Sequence, residues 1–169
     1  CGASQIDEIC LRLREKMAAP DDTSLHFVVV LQHHPLHELE DVRFERSRER
    51  LLSLTQLFLA GHLHRASVTE FGARSVEIRS AATYVDSPET AQETLGFNLI
   101  QLRFFASHVQ LTCVPFSFNA DRSFFFVDNS VHQRMNGAFV RFIPYAGSKR
   151  IPSLVETESG QMLNADRSV

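Results

Sequence analysis

Apolar residues recur at Ile6, Ile9, Cys10, Leu13 and Met17, three or four positions apart, while Asp7, Glu8, Arg12, Arg14, Glu15 and Lys16 fill the places between. That period lays one apolar stripe along a helix and predicts a helix over 6–17. Ser4 is placed to cap it, with Asp7 three residues on, and Pro20-Asp21-Asp22 closes it with turn chemistry. The pattern then changes, because the segment from His26 to Gln32 is nearly continuous in apolar residues. This predicts a strand covered on both faces, as in α/β architectures. The charged stretch from Glu38 to Arg50, ending in Leu51-Leu52-Ser53-Leu54, reads as a loop followed by a helix with a solvated charged face. Arg46, Arg48 and Arg50 could alternatively meet a phosphate. Leu57-Phe58-Leu59-Ala60 is a second short apolar strand that runs into Gly61.

Beyond His64 the period shortens to two. Short β-prone runs follow at Ser67 to Phe71, Arg74 to Arg79, Phe97 to Phe104 and His108 to Val114, with Gly72 as the turn between the first two. Helices and strands alternate first and strands then follow strands, so the fold class is α/β. The polar segment from Ala81 to Gly96 reads as a surface loop. Phe116, Phe118 and the triplet Phe124-Phe125-Phe126 are expected to pack in the core. After Asp128 the periodicity fades among Pro144, Gly147, Pro152 and Gly160. The expected division is 1–128 as the folded domain and 129–169 as a tail, a linker or the start of another module.

Composition narrows the function. With 169 residues and 44% hydrophobic content the chain can bury one core. Its 17 basic and 20 acidic residues leave a net charge of −3, which gives no footprint for nucleic acid. No apolar run approaches the roughly 20 residues of a membrane span, and no signal-peptide pattern is seen. Cys1, Cys10 and Cys113 are widely spaced and odd in number, which fits a reducing, cytoplasmic location better than a disulfide framework. Cys1 is not an initiator methionine. The expectation is a chain that starts upstream, with a processed lipoprotein bearing a lipid-modified first cysteine as the alternative.

The chemistry lies where the two apolar strands end. The first runs into His33-His34-Pro35 and the second into Gly61-His62-Leu63-His64. Positions i and i+2 share a face in extended backbone, so His62 and His64 can address one small volume. Neutral imidazoles suit Zn, Fe, Mn and similar cations. A three-imidazole mononuclear site, or histidines merely hydrogen-bonded at loop ends of an unrelated α/β module, would also answer to this pattern.

An apolar strand ending in His33-His34-Pro35, a helix, and an apolar strand ending in Gly61-His62-Leu63-His64 together resemble the calcineurin-like metallophosphoesterase family. The helix ahead of the first strand and the hairpin strands after the second fit the same order. The resemblance covers roughly residues 1 to 128. It implies a four-layer αββα sandwich of two mixed sheets for the whole domain, of which this chain is the C-terminal half. It also implies two divalent or trivalent transition metals (Mn, Fe or Zn) and a phosphomonoester or phosphodiester substrate. His33 and His62 would share one metal and His64 would ligate the other, while His34 ranks behind His33 as a ligand.

The family's Asp-x-His, Gly-Asp and Gly-Asn-His motifs occur nowhere in this sequence. The bridging aspartate, the asparagine ligand and the leaving-group acid would therefore come from an N-terminal half that the site requires, and this chain alone is expected to be inactive. A degenerate phosphoesterase-like domain with a binding or scaffold role is the alternative. Loss of the first βαβ units should leave an open, apolar sheet edge.

Overall fold

A computed structural model describes residues 3–18, 25–39, 42–62, 65–81, 95–119, 122–131 and 137–145. Helix α1 (Ala3–Met17) leads into strand β1 (Val29–Gln32), a 3-10 helix (Leu36–Leu39), helix α2 (Val42–Leu54) and strand β2 (Leu57–Ala60). The hairpin of β3 (Ser67–Phe71) and β4 (Ser75–Arg79) completes a first sheet in the order β1-β2-β4-β3. In it β1, β2 and β4 are parallel and β3 is antiparallel. Parallel β1 and β2 need a crossover, which the 3-10 helix and α2 provide. The hairpin turn places Gly72 at φ 62, a left-handed conformation that glycine adopts without a Cβ penalty.

The second sheet contains β5 (Gly96–Phe104), β6 (His108–Asn119), β7 (Phe124–Val127) and β8 (Phe139–Pro144). One edge of β6 pairs with β5, and the other pairs with β8 along its first half and with β7 along its second. All these pairings are antiparallel, so among the described residues the first sheet is mixed and the second antiparallel.

Alternation along β2 explains the layers. Phe58 faces α1 and α2, where it packs with Ile6, Cys10, Leu36, Leu51 and Leu54. Leu57 points the other way and joins Val76 and Ile78 of the first sheet against Leu111, Cys113 and Ile143 of the second. Full burial of a side chain such as Phe58 contributes roughly 1.5–3 kcal/mol. Helices, first sheet and second sheet thus make three layers, and no described residue forms a fourth over the outer face of the second sheet. No helix among the described residues is long and apolar enough to cross a membrane.

Several expectations change. Strand β1 is not covered on both faces, since Val29 is 41% and Leu31 78% exposed. Among the described residues its one strand neighbour is β2, and the second sheet leaves the Leu31 side open, forming a cleft of about 500 Å³ whose walls include Leu31, Leu59, Ile78 and Ile100. Phe124, Phe125 and Phe126 are exposed rather than in the core, because β7 lies at the sheet edge. The segment beyond residue 128 is not simply a tail. It contains β8, whose Ile143 is fully buried, and Tyr145 donates its hydroxyl hydrogen to the Phe105 carbonyl at 2.7 Å. Residues 146–169 and 82–94 lie outside the described residues. Ser4 sits inside the first turn of α1 rather than capping it. Arg50 reaches across to Asp7 of α1 at 3.0 Å and so pairs with a carboxylate of the protein itself.

Candidate metal centre

The parallel register of β1 and β2 aligns Gln32 with Ala60, so the residues that follow leave the sheet side by side. The Gly61 N–H donates to the His33 carbonyl at 3.1 Å and carries the ladder one step past the strand ends. After Gln32 the backbone bends at His33 and His34, and Pro35 leads into the 3-10 helix. The bend cancels the alternation that would send neighbouring strand side chains to opposite faces. His62 is not in extended backbone either, having φ 70.

Three rings converge as a result. His62 Nδ1 lies 3.1 Å from His33 Nε2, a hydrogen bond in which one ring donates and the other accepts. Ring centroids are 5.0 Å apart for His33 and His62, 4.2 Å for His34 and His62, and 4.8 Å for His33 and His34. One nitrogen from each ring falls within 4.8 Å of those of the other two, and all three residues are exposed. From the 3-10 helix, Glu38 places Oε2 2.8 Å from His34 Nδ1 and 3.8 Å from His62 Nε2.

The donor set fits a transition metal. Two nitrogens bound tetrahedrally at about 2.0–2.1 Å from one cation lie roughly 3.3 Å apart, close to the His33–His62 spacing. The proton shared by His33 and His62 lies between their facing nitrogens, and a cation held by both rings would replace it. The Glu38 carboxylate on His34 is the kind of partner that fixes ring orientation in metal sites.

Of the expected ligands, the structure brings His33 and His62 together, and His64 lies outside the described residues. The sequence ranks His34 behind His33 and gives Glu38 no place at the site. Their signal was the four-residue spacing of a histidine and a glutamate on either side of Pro35.

Two sheets pack face to face with helices on one side, and histidines follow the ends of two adjacent parallel strands. This architecture is consistent with a calcineurin-like sandwich. No protein-family profile and no curated protein matches the chain. Solved structures that it matches include a single mutant and a double mutant of Vps29 from Entamoeba histolytica. The first is 16% identical with a TM-score of 0.38 and the second 12% identical with a TM-score of 0.37. Each match covers 75% of this chain, which spans 66% and 65% of the respective Vps29 chains.

Proposed function

We propose that this chain supplies the imidazole side of a dinuclear transition-metal centre (Mn, Fe or Zn) that hydrolyses phosphomonoesters or phosphodiesters in the intact protein. The observation that carries the reading is the convergence of His33 and His62 from the ends of two adjacent parallel strands, with facing nitrogens 3.1 Å apart. In this reading His33 and His62 bind one cation and His64 the other. His34, hydrogen-bonded to Glu38, borders the site and orients the incoming phosphate. When bound, such cations offset charge on phosphoryl oxygens and make water a nucleophile at neutral pH. The bridging carboxylate and the leaving-group acid come from residues outside this chain.

The test is metal analysis of the intact protein together with turnover of bis(p-nitrophenyl) phosphate. His62→Ala should lower metal affinity and turnover by at least the roughly 10- to 100-fold that losing even an outer partner of a ligand costs. An intact protein that binds no transition metal, or whose turnover is unchanged by His62→Ala, would sink the reading.

A second reading, a phosphoesterase-like fold kept for binding, is favoured by the aromatic face of the second sheet. Phe97 stacks on Phe116 at 4.9 Å and meets Phe125 at 5.1 Å, and both Phe97 and Phe125 remain exposed. Metal uptake without turnover of any phosphate ester would favour this alternative.

A further inference from the structure

Glu77 is a carboxylate placed where the fold otherwise puts apolar side chains. On β4 it is the register neighbour of Phe58, on the sheet face that meets the helices, and it is only 1% exposed. A carboxylate so deeply buried is costly unless its oxygens are satisfied. Its Oε2 accepts the backbone N–H of Leu36 at 2.6 Å and the side-chain amide of Gln32 at 3.3 Å. Arg79 Nε lies 3.4 Å from Oε1, near enough to offset the charge but not aligned as a hydrogen bond. Arg79 is itself held by a bond from Nη2 to the Thr69 hydroxyl at 3.0 Å.

Gln32 is the residue before His33-His34-Pro35 and Leu36 is the residue after. One oxygen atom therefore ties down both ends of the segment that carries two of the three clustered imidazoles. The third, His62, leaves β2, which lies between β1 and β4. We propose that Glu77 is the positioning residue of the metal centre, holding the His33-His34 bend at the height and angle at which its rings meet His62. The proposal rests on the metal reading above. Without the clamp the bend gains freedom, the rings must be ordered when the cation binds, and affinity falls.

Cobalt(II) titration of the intact protein, followed by its d–d absorption, tests this separately from activity. Glu77→Ala should weaken Co(II) binding roughly tenfold or more and shift the band, because the ligand field reports ring placement. Glu77→Gln, which keeps an acceptor for the Leu36 N–H, should restore affinity and band towards wild type. If Glu77→Ala lowers the melting temperature of the metal-free protein but leaves Co(II) affinity and spectrum unchanged, Glu77 serves stability alone and the proposal is overturned. Should that variant fail to fold, Gln32→Leu at the edge strand decides. Severalfold weaker binding supports the clamp, and wild-type affinity with a wild-type band overturns it. A wild-type protein that takes up no Co(II) overturns the metal reading, and this inference with it.

Discussion

His62 occupies left-handed backbone, with φ 70, a conformation that costs a non-glycine residue about 1–2 kcal/mol. Such strain persists where the surroundings over-determine it, and here it aims the ring at His33. Alanine would be as strained there as histidine, so His62→Ala reads the loss of the ring rather than relief of the backbone. His108 shows a different residue-scale effect. Its ring stacks on Phe105 at 4.8 Å and meets Phe142 edge-on at 5.5 Å. Burial lowers its pKa from 6.5, so the folded state favours the neutral ring. The unfolded chain then binds more protons on the acid side, and the stabilisation present above pH 6.5 is lost as pH falls through the folded-state value. Thermal melting followed against pH should show this decline, and His108→Phe should flatten it. An unchanged slope in the variant would assign the decline to other groups. Elsewhere burial pushes the Cys113 thiol up to about 12 and raises Cys10 as well, so both are protonated thiols at neutral pH.

At the scale of elements, legibility followed periodicity. Helix α1 and the β3–β4 hairpin were readable because each keeps its period and Gly72 marks the hairpin turn, while Pro20-Asp21-Asp22 lie outside the described residues. Strands β5 and β6 were readable from alternation, although β6 runs on to Asn119 through Pro115. Pro115 is fully buried, and the chain passes it without leaving the sheet. Strand β8 was missed because Phe139 to Pro144 is surrounded by glycine and proline, and its partner β6 lies far back in the sequence. Long-range pairing leaves no local mark. If β8 belongs to the core, Ile143→Ala should cost about 2–5 kcal/mol in denaturant unfolding, as large-to-small changes at buried sites do. A cost below 1 kcal/mol would make residues 139–145 peripheral. The same blindness explains Phe124 to Phe126, where aromatic character suggested burial but an edge strand has too little above and below it to cover three rings.

At the scale of the whole molecule, the sequence showed which strand ends would carry histidines but not how they would meet. Convergence depends on the β1–β2 register, on the bend after Gln32 and on the buried anchor at Glu77, and none of these has a local pattern. Nor could a run such as Val28-Val29-Val30-Leu31 say whether one face or two would be covered, since that depends on how far the second sheet extends beneath it. The answer has a practical side. Among the described residues no strand pairs with the outer edge of β1, which lies beside the exposed Leu31 and has no charge in Val29–Gln32 to discourage another strand from adding to it. The 169-residue chain should therefore be colloidally fragile, losing monomer as concentration rises. Leu31→Lys should raise the concentration at which light scattering first increases, and an unchanged threshold would direct attention to the aromatic face of the second sheet instead. Handling of the protein in solution would thus be governed by the same strand that delivers His33 to its partners.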